Sequence, residues 1–270
     1  MKKIISLIFL TSLVLNACSS DSDSPFTPEN DALVKRITVT DDGTFYTDFF
    51  YNGKKIVKQI PQSSNPKYYT YTDDFITRID TYDSDGMEIV GFETFTYDTS
   101  GRLLVYLQNV EPDNPVTFEH KIDFTYNTDN TVSCLWHGGF SGIFTDILGA
   151  AVIHLTDNEI SSVDITPYSD GTDPGEPYTV LYNYDNNNNP FKNIIGFSQL
   201  NLVDAAEGES YGEVFGVDHN ILTNGWFTAD SSGTSSTTTY TYNSLSFPET
   251  SVKIMEGGPY PSTTTTYIYY

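Results

Sequence analysis

Aromatic and polar residues alternate along most of this chain, and the alternation breaks repeatedly at the same kind of place. An aromatic, a polar residue and a Tyr are followed by Asp or Asn and a polar turn, and a second alternating run then begins. The unit stands as Phe49-Phe50-Tyr51-Asn52-Gly53-Lys54, as Phe95-Thr96-Tyr97-Asp98-Thr99-Ser100-Gly101-Arg102-Leu103 and as Phe124-Thr125-Tyr126-Asn127-Thr128-Asp129-Asn130. It returns at Tyr182-Asn183-Tyr184-Asp185-Asn186 and Tyr240-Thr241-Tyr242-Asn243-Ser244, with weaker copies around Thr72-Asp73-Asp74-Phe75, Thr156-Asp157-Asn158 and Asp218-His219-Asn220. Side chains on a strand alternate between two faces, so Phe95 and Tyr97 share one face and Thr96 takes the other. Asp98 can accept bonds from turn amides, and Gly101 supplies a positive φ without a Cβ clash. Each unit therefore predicts a β-hairpin. Tyr97 to Tyr126 is 29 residues, and Tyr126 to Tyr184 and Tyr184 to Tyr242 are 58 each, so a repeat near 29 residues with two strands apiece accounts for most of the chain.

Helical periodicity is almost absent, because Gly, Pro, Asn and β-branched residues punctuate the chain too often. Two short helices are predicted, over 144–151 and 201–207. The fold class that follows is all-β: a large antiparallel up-and-down meander of sequential hairpins, curled or barrel-like. It occupies residues 32–270 as a single repeat-based domain. The terminal run Thr263-Thr264-Thr265-Thr266-Tyr267-Ile268-Tyr269-Tyr270 reads as a closing strand that hides an edge. It also ends in an aromatic, as the last strand of an outer-membrane barrel does, but such barrels need a continuous apolar outward band that these charged and Asn-rich strands do not supply.

One segment breaks the alternation altogether. Lys2 and Lys3 precede an apolar run, Ile4 to Leu15, that ends in Asn16-Ala17-Cys18. The run is too short to span a bilayer comfortably and reads as a signal peptide, residues 1–17. Its end resembles the lipobox of bacterial lipoprotein precursors. That resemblance implies cleavage between Ala17 and Cys18, a diacylglycerol on the Cys18 sulfur and N-acylation of the new terminus. Residues 18–31, with Ser19-Ser20-Asp21-Ser22-Asp23-Ser24-Pro25, are too polar to repay their ordering entropy and form a flexible acidic tether. Acidic residues behind a lipidated cysteine also resemble the export signal of surface lipoproteins in the Bacteroidetes group. The expected location is the cell envelope, at the outer membrane.

Tyr97-Asp98-Thr99-Ser100-Gly101-Arg102-Leu103 resembles the YD repeat of Rhs-type and teneurin shells, Tyr-Asp, two variable residues, then Gly-Arg-Leu. Only this copy is complete; the others keep the Tyr-Asx half. Taken over its whole length the chain is closer to Bacteroidetes lipoproteins that join a lipobox and an acidic tether to degenerate YD-like hairpins. This resemblance implies a porin-like meander and carries over no catalytic residue.

Charge narrows the partners. Without residues 1–17 the chain has 11 basic against 36 acidic residues, a formal charge of −25. That repels nucleic acid and anionic lipid, so acyl chains rather than a basic patch must provide the membrane partner. With Cys18 acylated, Cys134 has no partner for a disulfide, and stability must come from a core.

Candidate chemistry is sparse. His120, His137, His154 and His219 show no metal-ligand spacing. Ser141 in Gly138-Gly139-Phe140-Ser141-Gly142 lacks the second glycine of a nucleophile elbow at Ile143. Asp83-Ser84-Asp85-Gly86 and Asp170-Gly171-Thr172-Asp173 look like fragments of calcium loops, but hairpin turns use the same residues. No metal, cofactor or catalytic residue is assigned, and the chain reads as a non-enzyme. Trp136 and Trp226 are the candidate stacking residues for a sugar, although sheet cores use the same side chains. The expectation is a lipid-anchored binding or structural module, with a glycan or an envelope protein as partner; a glycan-binding surface lipoprotein is the alternative and an envelope hydrolase the third reading.

Overall fold

The computed structural model describes residues 32–109, 118–169, 171–207, 216–228, 232–257 and 261–270. Ala17, Cys18, the tether and Asp170 lie outside the described residues. The first hairpins are built from β1 (Val34–Thr40), β2 (Thr44–Asn52), β3 (Lys55–Pro61), β4 (Lys67–Thr72), β5 (Phe75–Tyr82) and β6 (Ile89–Tyr97). The chain continues through β7 (Leu103–Asn109), β8 (Phe118–Tyr126), β9 (Thr131–Phe140), β10 (Ile143–Thr156), β11 (Glu159–Ser169) and the two-residue β12 (Asp173–Pro174). It ends with β13 (Tyr178–Tyr184), the helix α1 (Leu200–Glu207), β14 (Ile221–Phe227), β15 (Ser232–Tyr242), β16 (Pro248–Met255) and β17 (Thr263–Tyr269).

Every strand but β12 pairs antiparallel with its sequence neighbours, and β17 returns to β1 with Val34 opposite Tyr269 and Ile37 opposite Tyr267. The result is a closed 16-stranded up-and-down barrel. β12 pairs only with the end of β11, outside the ring of strands. The carboxyl end is thus the closing strand predicted from its sequence. The helix predicted over 201–207 is present as α1. The one predicted over 144–151 is not: Phe144 to Ala151 lies inside β10, where the long ladder to β9 offers each backbone group a partner and overrides a weak local preference.

The Tyr-Asx units fall at one end of the barrel, and most are hairpin turns; the copy at Tyr184-Asp185 is not, since it leads from β13 into a long segment that returns to β14 at Asn220, where the Asp185 amide bonds the Asn220 carbonyl. Asp98 N–H donates to the Arg102 carbonyl, Gly101 N–H to that of Asp98, and Gly101 is left-handed at φ 80°. The Asp98 carboxylate accepts from the amides of Ser100 and Arg102 at 2.8 and 3.0 Å. Asn243 repeats this with Leu245 and Phe247 at 2.9 and 3.0 Å. The copies that lack the glycine keep its conformation, since Asn130 and Ser246 both sit at φ 62° in the place of Gly101.

Several of these tyrosines, together with Tyr269 of the closing strand, point into the barrel and donate to a carbonyl near the start of an earlier strand, while Tyr242 donates to the Asp185 carboxylate instead. Tyr51 donates to Val34 O at 2.8 Å, Tyr97 to Ile76 O at 2.7 Å, Tyr184 to Ile160 O at 2.8 Å and Tyr269 to Pro248 O at 2.9 Å. Burial holds all four phenols protonated by pushing their pKa values well above the usual range.

Residues 185–207 and 216–220, between β13 and β14, fold back across that same end and plug it. The Ile195 amide donates to Lys54 O at 3.0 Å, Tyr71 donates to Ile195 O at 3.0 Å, and Asn188 bonds the carbonyls of Ser246 and Leu245. Glu159 clasps the far side of the plug by accepting the amides of Val217, Asp218 and His219 at 2.7–2.8 Å. Phe191, Ile194, Phe197, Val203, Ala205 and Ala206 of the plug join inward residues of the wall such as Phe49, Ile76, Phe95, Ile122 and Val163 in one apolar core.

The outer face is of the opposite character. Arg36–Asp48, Arg78–Asp80, Lys121–Asp123, His137–Asp123 and His154–Asp164 form ion pairs along it. From β15 to β17 threonines occupy the face, among them Thr239, Thr241, Thr250, Thr264 and Thr266.

Candidate functional site

The residues that sequence pattern singles out do not converge. Trp136 on β9 is buried with its ring against Gly149, and its indole N–H has no hydrogen-bond partner among the described residues. Trp226 on β14 is half-buried beside Tyr178, ring centroids 6.2 Å apart. Both face the interior, and three strands of the wall separate them. The histidines are dispersed: His137, His154 and His219 each face a different carboxylate, and His120 lies edge-on to the Tyr106 ring at 6.4 Å. Asp164 accepts both His154 at 2.8 Å and Thr179 at 2.6 Å, so the imidazole contacts the carboxylate rather than a hydroxyl to be activated.

Two other motifs resolve into turns. Ser141 and Gly142, at φ 53° and 75°, are the paired left-handed positions of a tight hairpin between β9 and β10. Asp83 turns its carboxylate onto the amides of Met87 and Glu88 at 2.8 and 3.2 Å, which commits it to the β5–β6 turn.

What the fold does bring together is a polar group on the inner wall, toward the end opposite the plug. Lys67 Nζ lies 2.8 Å from Glu93 Oε1, and the Tyr106 hydroxyl lies 3.4 Å from the other Glu93 oxygen. Tyr69 donates to Gln59 Oε1 at 2.7 Å. Burial, with the charge of Glu93 nearby, raises the Tyr69 pKa far above the usual phenol range and keeps it a donor. A cavity of about 450 Å³ adjoins this group at the rim of the wall, lined by Asn65, Thr81, Gly91, Glu93 and Gln108 and, from the opposite strand phase, by Phe92 and Asn109. A second, of about 180 Å³, lies between the wall and the plug, where Ile37, Val39, Phe45 and Phe49 face Phe191 and Phe197, with Gln59 at its border.

No family model matches the chain, and no curated protein does. Solved structures do. A porin-like protein from Bacteroides vulgatus superposes with a TM-score of 0.58 at 12% identity, over 89% of this chain and 99% of that one. A porin-like protein from Bacteroides uniformis covers 88% and 96% at 14% identity, with a TM-score of 0.48. The first likeness shows that the closed antiparallel barrel is a fold already seen.

Sequence reading missed the inner polar group, although a signal for it exists. Lys67 stands in phase with Tyr69 and Tyr71, and Glu93 in phase with Phe95 and Tyr97. A charge on the face that buries aromatics marks a place where the interior holds something polar.

Proposed function

We propose that this chain is a cell-envelope lipoprotein whose barrel stands in water beside the membrane and serves as a binding module. In this reading Cys18 carries the acyl chains, residues 18–31 are the tether, and the barrel spans no bilayer. The observation that carries it is the outer wall. A lipid-facing Arg or Lys at mid-membrane costs about 2–4 kcal/mol, and membrane barrels show an apolar band about 25 Å tall. Here Arg78, Asp80, Lys121, Asp123 and His137 occupy the middle of their strands and face outward. Apolar side chains also stand exposed on this face, but beside charged partners, Phe50 opposite Lys58, Leu135 opposite Asp123 and Ile268 opposite Arg36, whereas the packed apolar surface lies inside, around the plug.

The geometry also supports an orientation. Ala32, where the tether would leave the barrel, is bonded to the plug through Asn193 at 3.0 Å. The plugged end then faces the membrane, and the inner polar group faces away from it, toward any partner in the surrounding compartment. A ligand-binding role rests on that group and its cavity; no arrangement of nucleophile and base accompanies them, which leaves a hydrolase without machinery among the described residues.

The test is fractionation and conductance. Wild-type protein should co-sediment with membranes and carry the mass of a lipidated Cys18, whereas Cys18→Ser should accumulate unprocessed and unacylated. Mature protein added to planar bilayers should give no ion channels. Stable conductance steps, or a mature form cut elsewhere and free of lipid, would overturn the reading.

A further inference from the structure

We infer that the inner wall from β2 to β7 is a binding strip for a linear, uncharged polysaccharide; the inference rests on the binding-module reading above and specifies its ligand. The observation is one of register. Phe49 is paired with Gln59, Gln59 with Lys67, Lys67 with Thr81 and Thr81 with Gly91. These five residues form one row across five adjacent strands, all on the inner face. At the usual strand spacing the row is about 19 Å long. Phe49 is buried against Phe191 of the plug and ends the row; the members beyond it change from amide to ammonium, hydroxyl and glycine, so a ligand lying across the strands meets a new kind of partner at each step.

The flanking residues extend the same chemistry. Glu93 and Gln108 are register partners one row away and line the larger cavity with Thr81, Gly91 and Asn65. At the other end Phe45 and Phe49 line the smaller one, and Phe45 keeps about half its surface exposed. Lys67 and Gln59 stand between the two cavities.

The chemical class follows from three features. Glu93 and Lys67 neutralise each other at 2.8 Å, so the strip presents donors and acceptors without a net field that would select an ion. Gln59, Gln108, Asn65 and Thr81 each offer both donor and acceptor atoms, which suits vicinal hydroxyls. Phe45 offers an apolar face, and a pyranose ring presents hydroxyls at its edge and C–H groups on its face. Gly91 lines the larger cavity with its backbone alone. A fatty acid would leave the polar half unused, and an anionic chain would meet the strongly acidic protein.

The experiment is calorimetric titration of the mature lipoprotein in detergent with neutral oligosaccharides of two to six units. The probes are α-1,4- and β-1,4-linked glucose, β-1,4-linked xylose, β-1,4-linked mannose and β-1,4-linked N-acetylglucosamine. At least one series should bind, with affinity rising from the disaccharide to the hexasaccharide as the strip fills. Glu93→Gln and Gln108→Ala should each weaken that series about 10-fold, the scale of one lost hydrogen bond to a buried partner, with the melting temperature unchanged in Gln108→Ala and lowered in Glu93→Gln, which leaves Lys67 without its counter-ion. Phe50→Ala, on the outer face of β2, should leave binding as it is. Absence of binding in all five series overturns the inference, as does binding that ignores Glu93→Gln and Gln108→Ala but is lost in Trp226→Ala. Neither result touches the envelope reading, which fails instead by bilayer conductance or by the lack of an acylated Cys18.

Discussion

At the scale of single residues, most of the chemistry is committed to structure. Asp98 holds its turn through two backbone amides and the Arg102 guanidinium at 2.7 Å, and those bonds keep its carboxyl below the ordinary range. Asp98→Ala should lower the melting temperature without moving any ligand affinity. Gly101→Val should cost about 1–2 kcal/mol, because a branched residue is strained at φ 80°. A Cβ there would also meet the Phe75 ring at 2.5 Å. Asp48 is likewise held low by Arg36, and Asp129 by the Thr131 hydroxyl. A carboxyl with a lowered folded-state pKa contributes stability above its unfolded value, near pH 4, and loses it as the pH falls through the folded value. Urea midpoints should therefore be flat from pH 7 to about 5 and drop below about 4. The thiol of Cys134, buried on β9, is pushed up to about 12 by desolvation. Native protein should resist a thiol-reactive dye and take up one equivalent at Cys134 only when unfolded.

At the scale of elements, the plug is the part whose attachment is most concentrated. Glu159, itself buried, accepts three consecutive amides of the segment leading into β14, and Asp185 holds the entry to the plug through Asn187, Asn220 and Tyr242. Removing one carboxylate leaves three amides to find new partners. Glu159→Ala should cost about 3 kcal/mol in chemical denaturation, since each unsatisfied buried donor costs about 1–3 kcal/mol and some will recover water. Hydrogen exchange should locate the damage: protection should fall in residues 216–220 while the β3–β7 amides, held by their own ladders, keep theirs. Uniform loss over the whole barrel would show that the plug and wall unfold as one unit.

At the scale of the whole molecule, a barrel of this kind has to place its apolar surface on one side or the other. Here most aromatic and apolar side chains face inward and pack with the plug, and the outward phase carries the ion pairs and threonines with single apolar residues such as Phe50, Leu135 and Leu181 among them. On the lipoprotein reading proposed above, mature protein incubated with preformed phosphatidylethanolamine–phosphatidylglycerol vesicles should therefore bind through acyl chains on Cys18 alone. Protease cleavage within the tether should release an intact, soluble barrel; a barrel that stays with the vesicles after that cut would place lipid contacts on the wall itself.

Local pattern determined much of this in advance. Period-two alternation around Tyr97, Tyr126, Tyr184 and Tyr242 is a property of neighbouring residues, so the hairpins, their turns at Asp98, Asn127 and Asn243, and the all-β meander were legible without coordinates. The stretch from Phe144 to Ala151 reads as helical because a short apolar run is compatible with both periods, and only the ladder to β9 chooses the strand. That the terminal run closes the sheet is legible from its own sequence, but that its partner is β1, more than two hundred residues away, is encoded by no local rule. The plug was equally hidden: an Asn-rich segment between two strands reads as a long loop until the barrel end gives its carbonyls and rings something to pack on. The inner strip is the strongest case. Gln59, Lys67, Thr81, Gly91 and Glu93 are unremarkable along the chain and become neighbours only when strand register is set, because register is fixed by pairing across turns and bulges rather than by any one strand's own sequence.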